Sequence, residues 1–159
     1  MLRIFMILAA AILLPLTARA EPVLKIINFT AEWCPNCQVL NPAINNALLE
    51  FPEGQIEIVN LDMTYAGRGS SEEQKLIVYA DAIRVAQKHK AEYLWDLYGG
   101  VTGIAAIIAA DTGEAIGCMT RAIGSESIAY GLRESLIITE RRPQGERMPN
   151  GADCPPALR

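Results

Sequence analysis

Apolar residues arrive along this chain in runs whose period changes, and the changes outline its elements. After an N-terminal apolar stretch over residues 4–14, Val23-Leu24-Lys25-Ile26-Ile27-Asn28-Phe29 reads as a buried strand. Apolar residues then recur at helical spacing, as Val39, Leu40, Ile44, Leu48 and Leu49, until Pro52-Glu53-Gly54 stops them. Pro35 suits the first turn of that helix, where a missing N–H costs nothing, and Pro42 inside it should kink it. Ile56-Glu57-Ile58-Val59-Asn60-Leu61 predicts a second strand, and strand, helix, strand implies a parallel pair with a right-handed crossover. Ser71-Glu72-Glu73-Gln74 has the pattern of a capping box and opens a helical region over residues 72–98. Leu76, Tyr79, Ala80, Ile83 and Ala86 share one face of it, and Lys88-His89-Lys90 is the expected break between two helices. Residues 104–110 predict a third strand, Asp111-Thr112-Gly113-Glu114 a hairpin turn and residues 115–120 a fourth strand. Ser125 is placed to cap a last helix over residues 126–139. The stretch from residue 141 on, rich in Pro, Gly and charge, predicts a loosely ordered tail.

The N-terminal run changes the picture, because it reads as a signal peptide rather than as part of the fold. Arg3 precedes it, Pro15 breaks it, and Ala18-Arg19-Ala20 carries small residues where signal peptidase cuts. An uncleaved anchor is the alternative, but the run is short for a span of about 20 residues. The expected organisation is a signal peptide over residues 1–20, one domain over 21–140 with an insertion at about 65–100, and a tail over 141–159. Cleavage near Ala20 would make the chain periplasmic or otherwise exported. Removing Arg3 and Arg19 from the 14 basic residues leaves 12 against 18 acidic ones, a net charge near −6. That balance argues against nucleic acid or an anionic membrane surface as partner.

Export gives the four cysteines their meaning, since free thiols outside the cytosol need a reason to exist. Cys34-Pro35-Asn36-Cys37 puts two sulfurs one helical turn apart, where a disulfide can form and break. At a helix N-terminus the dipole and free N–H groups would stabilise the Cys34 thiolate, the species that attacks disulfides. The same residues could hold a metal or form a structural bridge. Cys118 and Cys154 are expected to form a structural disulfide that ties the tail to the sheet edge; the alternatives are two unpaired thiols or a relay to Cys34. His89, between two lysines, reads as solvated, and it leaves no Cys/His cluster for structural zinc. Trp33 reads as a substrate platform and Trp95 as core. Asp62 and Glu57 receive no acid–base role, and Arg141, Arg142 and Arg147 read as part of a solvated tail.

Ala31-Glu32-Trp33-Cys34-Pro35-Asn36-Cys37 at a strand-to-helix junction resembles the thioredoxin superfamily, whose members carry Ala-Glu-Trp-Cys-Gly-Pro-Cys there. Pro42 stands at the family's spacing from the first cysteine. Gly103-Ile104, a strand and Thr112-Gly113-Glu114 resemble the family's Gly-Ile-Pro-Thr strand and Asn-Gly-Glu hairpin. The resemblance covers most of residues 23–139. It implies an α/β, thioredoxin-like fold: a mixed four-stranded sheet in order 2-1-3-4, flanked by helices, with an enlarged helical insertion before the third strand. It also implies that Cys34 attacks, that Cys37 resolves the mixed disulfide, and that Trp33, Pro35, Ile104 and Ala105 contact substrate.

Three departures accompany it. Ala105 stands where the family has a cis-proline, and a cis bond before a non-proline residue costs about 2.5–4 kcal/mol, so a trans, reshaped loop is expected. Asn28 stands where the family buries an aspartate that helps deprotonate the resolving cysteine. The insertion is expected to be a lid or partner surface, or else extra packing. The expected function is thiol–disulfide exchange, with the chain reducing disulfide-bonded protein substrates and being re-reduced by a membrane electron-transfer partner. Cytochrome maturation is the family's usual context for such proteins, and no resident cofactor or metal is expected. The rival readings are a Cu(I)-binding module on Cys34 and Cys37, two soft thiolates, and a purely structural bridge.

Overall fold

The structure, a computed structural model, describes residues 21–121 and 123–156. The expected signal peptide and its cleavage site lie outside the described residues. Among those described, no helix is long and apolar enough to cross a membrane.

Four strands, β1 (Leu24–Thr30), β2 (Ile56–Asp62), β3 (Ile104–Ala109) and β4 (Ala115–Thr120), form one sheet in the order β2-β1-β3-β4. β1 and β2 run parallel, joined through helix α1 (Pro35–Leu48), whereas β3 is antiparallel to both β1 and β4. This is the expected thioredoxin-like sheet. Side chains alternate across β1 and β3, and helices cover both faces. Ile27, Phe29, Ile104, Ala106 and Ile108 pack against α2 (Glu72–Lys88) and α3 (Glu92–Tyr98), together with both cysteines of the motif. Leu24, Ile26, Ala105 and Ile107 pack against α1 and α4 (Ser125–Arg141). Covered on both sides, β3 is buried at all six positions, which is why it reads as an unbroken apolar run.

Several local expectations shift. Val39 and Leu49 have helical spacing yet are exposed, Leu49 lying just past the end of α1. α1 runs on through Pro42, which has no N–H to give to the Gln38 carbonyl. Helix α2 starts on the anticipated capping box, with both Ser71–Gln74 hydrogen bonds made. Its buried side, however, centres on Ala82 and Ala86, while Leu76 and Ala80 face solvent. Val78, Tyr79, Ile83 and Val85 pack around these alanines against the core. The break between α2 and α3 falls at His89–Ala91, where Lys90 takes a positive φ of 59°. α4 is capped by Gly124 rather than by Ser125, which is already its first residue, and extends to Arg141.

The tail is the largest difference. Cys154 is disulfide-bonded to Cys118, and Asp153 pairs with Gly117 at the free edge of β4. The Tyr98 hydroxyl donates to the Pro155 carbonyl at 2.5 Å. Arg147, expected in solvent, is 4 % exposed and grips both carboxylate oxygens of Asp111 at 2.5 and 2.8 Å. The hairpin turn supplies the anion that this buried guanidinium requires, so the tail closes over the turn instead of trailing from it.

Candidate active site

The turn after β1 delivers Cys34 to the N-cap of α1. With Cys34 extended (φ −87°, ψ 112°) and Pro35 first in the helix, the Cys34 Sγ accepts the Cys37 backbone N–H at 3.1 Å. No acidic residue occupies the first turn of α1, so nothing there opposes the helix's positive end. Cys34 and Cys37 are disulfide-bonded, with Cα atoms 5.2 Å apart. Both are buried, at 3 % and 2 % exposure.

Trp33 stands half-exposed beside Cys34. Its indole N–H donates to the Thr64 carbonyl at 2.8 Å, and Gly67 lies so close that an added Cβ would come within 2.9 Å of the ring nitrogen. Thr64 also accepts the Glu32 N–H through its hydroxyl, and it donates from both its N–H and its hydroxyl to Asp62. Asp62, to which the sequence reading assigned no role, therefore anchors the loop that holds Trp33. The signal was an Asp-x-Thr step at a strand end, the signature of an Asx turn. Pro35 and Trp33 together line a groove of about 720 Å³ that continues along the Ala66–Arg68 turn to Lys75 and Tyr79. On the other side, Cys37 borders a groove of about 390 Å³ with Glu32, Asn41 and Asp62.

Ile104 and Ala105 do not fit their expected role as substrate contacts. Ala105 is fully buried and Ile104 nearly so. Each is paired on both sides, Ile104 with Phe29 and Thr120, and Ala105 with Asn28 and Met119. A central strand has already spent its backbone groups on its neighbours, so substrate cannot pair there. Gly103 is the residue of this segment that meets the motif. It takes a φ of +84°, donates its N–H to the Phe29 carbonyl, and leaves no room for a Cβ beside Asn36. The peptide bonds of the described residues are all trans.

Asn28, buried on the α1 side of β1, donates to Asn41 at 3.1 Å and to Asn60 at 2.9 Å, and Asn41 in turn donates to Thr30. An amide holds no titratable proton, so this chain of side chains orders the floor of the site without acting as a base. The expected alternative donor set for Cu(I), Cys34 and Cys37, gains nothing from its surroundings: no group of three or more His, Cys, Asp or Glu side chains suited to a metal occurs among the described residues. His89 is partly buried rather than solvated, and burial lowers its pKa.

A family model described as thioredoxin matches residues 17–92. The chain is similar to the crystal structure of StoA from Bacillus subtilis, with 14% identity, 71% of this chain and 84% of that chain covered, and a TM-score of 0.45. It is also similar to a thioredoxin-like protein from Parabacteroides distasonis, with 15% identity, coverage of 73% and 82%, and a TM-score of 0.41. None of the curated protein sequences matches.

Proposed function

We propose that the chain, which a thioredoxin family model matches over residues 17–92, is an exported thiol–disulfide oxidoreductase that reduces disulfides of periplasmic proteins. The observation that carries this reading is the Cys34 sulfur at the N-cap of α1 with Cys37 one turn later. In the reduced form the Cys34 thiolate attacks one sulfur of a target disulfide. A Cys34–target bond forms, and the target's other sulfur leaves as a thiolate. Cys37 then attacks Cys34, the Cys34–Cys37 bond forms, and the target leaves with its second thiol. Two electrons have passed to the target, so a two-electron donor must restore the dithiol. A membrane electron-transfer partner fills that role in this reading, and cytochrome maturation is the setting it suits.

Asn28 offers no carboxylate to take the Cys37 proton, so that proton leaves through solvent in the groove beside Cys37. Equilibration of the Cys34–Cys37 pair with glutathione, in a Cys118→Ser/Cys154→Ser background, tests the direction of electron flow. A potential near or below about −230 mV is expected of a reductant. A value near about −120 mV would make the protein an oxidant, and a pair that never exchanges would sink the redox reading. Appearance of the chain, shortened by about 20 residues, in the periplasmic fraction checks export.

A further inference from the structure

The groove beside Cys34 has a chemical character that the redox reading does not use. Its apolar walls are Trp33 and Pro35, the two sequence neighbours of Cys34, with Tyr79 opposite. Cys34 itself does not line the groove, but both its sequence neighbours do, so a polypeptide lying there passes beside the turn that carries it. The groove's charged residues are Arg68 and Lys75, and among the described residues no carboxylate lines it. Lys75 is ion-paired with Glu72 at 2.7 Å, whereas Arg68 is exposed and has no ion-pair partner among the described residues. The elements that frame the groove also carry Tyr65, Leu76 and Ile77, each more than half exposed. The groove on the Cys37 side has the opposite sign, since Glu32 and Asp62 line it. Free cationic and apolar surface thus faces one side of the motif, and carboxylates face the other, on a chain whose net charge is −4.

We propose that the Trp33–Tyr79 groove selects target proteins whose disulfide cysteine is flanked by a segment carrying an acidic residue next to an apolar one. The inference rests on the thiol–disulfide reading and names the class of substrate that this site prefers. The acidic side chain pairs with Arg68, the apolar one lies against Trp33 and Tyr79, and the carboxylates beside Cys37 repel an acid placed the wrong way round. The preference is opposite to what the whole molecule's charge would produce, because a net-negative protein attracts cationic peptides at long range. The groove's sign and the molecule's sign therefore predict opposite rankings.

The test uses the reduced full chain and three disulfides of 2-thiopyridine. One joins it to an uncharged small thiol, 2-mercaptoethanol. The others join it to the cysteine of a short peptide with Glu-Leu or Lys-Leu flanks. Attack on the peptide sulfur releases 2-thiopyridone, which is followed by absorbance, and each rate is normalised to that of free 2-mercaptoethanol with the same disulfide. The Glu peptide is expected to react about three- to tenfold faster than the Lys peptide at low salt, with the gap closing toward about 1 M salt. Arg68→Glu/Lys75→Glu is expected to reverse the ranking. Equal rates, or a faster Lys peptide, with brisk reaction of the small disulfide would overturn the groove assignment and leave the redox function standing. Failure of all three disulfides to react would remove both. Sedimentation in which the wild type dimerises and Arg68→Glu does not would place a second copy in the groove, which also overturns the proposal.

Discussion

Cys34 and Cys37 are chemically alike but differently placed, and the difference should appear in their substitutions. Cys34→Ser is expected to abolish exchange with any disulfide, because it removes the sulfur at the helix N-cap. Cys37→Ser is expected to leave attack intact and to accumulate a mixed disulfide through Cys34, visible by mass under non-reducing conditions. A Cys37→Ser protein that forms no adduct would mean that the roles are reversed. Asn28→Asp tests the amide below the site. A carboxyl there would be 3 % exposed between two asparagines, so a stability cost of about 1–3 kcal/mol is expected. It also introduces a proton acceptor linked through Asn41 to the groove beside Cys37, so decay of a trapped mixed disulfide should quicken and acquire a new pH dependence. An unaltered decay rate would show that the resolving proton never depends on this position. Cys34, Cys37 and Asn28 were legible in the sequence, because their spacing is local to one strand and one turn. Asp62 was not, because its role depends on Thr64 reaching back to a loop some thirty residues earlier.

At the level of elements, the decisive junction is between the turn before β3 and the start of α1. Gly103 there combines a left-handed backbone with direct contact to Asn36. Gly103→Ala is expected to cost about 1–3 kcal/mol, from the φ and from the collision together. It should also shift the potential of the cysteine pair by displacing Asn36, whereas a variant with wild-type stability would refute the close approach. α2 offers a simpler check: Ser71→Ala removes half of its capping box and should cost about 1 kcal/mol in chemical denaturation. The insertion that the sequence left between lid and packing contributes Ala82, Ala86, Leu94, Trp95 and Tyr98 to the core over one face of the sheet. It is therefore a structural layer, and only its outer edge borders the grooves. Helical period located α2 and α3 correctly. Of the expected face, Tyr79, Ile83 and Ala86 meet the core, whereas Leu76 and Ala80 lie on the solvent side.

Across the whole molecule, the tail ties distant parts together. It joins β4 through Cys154, the end of α3 through Pro155, and the β3–β4 turn through Arg147. The hydrogen bond from Arg147 holds the Asp111 carboxyl well below the usual carboxylate range, against the opposing effect of burial. The folded chain thus resists protonating Asp111 more than the unfolded chain does. The pair's contribution is complete above the ordinary value of 3.8 and drains away as pH falls below it. Acid unfolding of Asp111→Asn should accordingly show a shallower loss of stability below about pH 4 than the wild type. An unchanged slope would mean that Asp111 titrates alike in both states. Arg147→Ala should lower stability by about 1–3 kcal/mol at neutral pH, measured by thermal unfolding, because the buried guanidinium is removed and its half-exposed partner returns to water.

The sequence by itself determined the elements and the spacing of the cysteine pair, while the order of the sheet came from the resemblance to the thioredoxin superfamily. The elements and the pair are written in short-range signals: period-two strands, helical spacing, a capping box, and two cysteines at the start of a helix. Tertiary structure alone decided the grooves flanking Cys34 and Cys37, the burial of Ile104 and Ala105, the anchoring of Trp33 by Thr64 and the closure of the tail by Arg147. Those features depend on residues far apart in the chain meeting at one place, and a one-dimensional pattern carries no record of which distant side chains will do so.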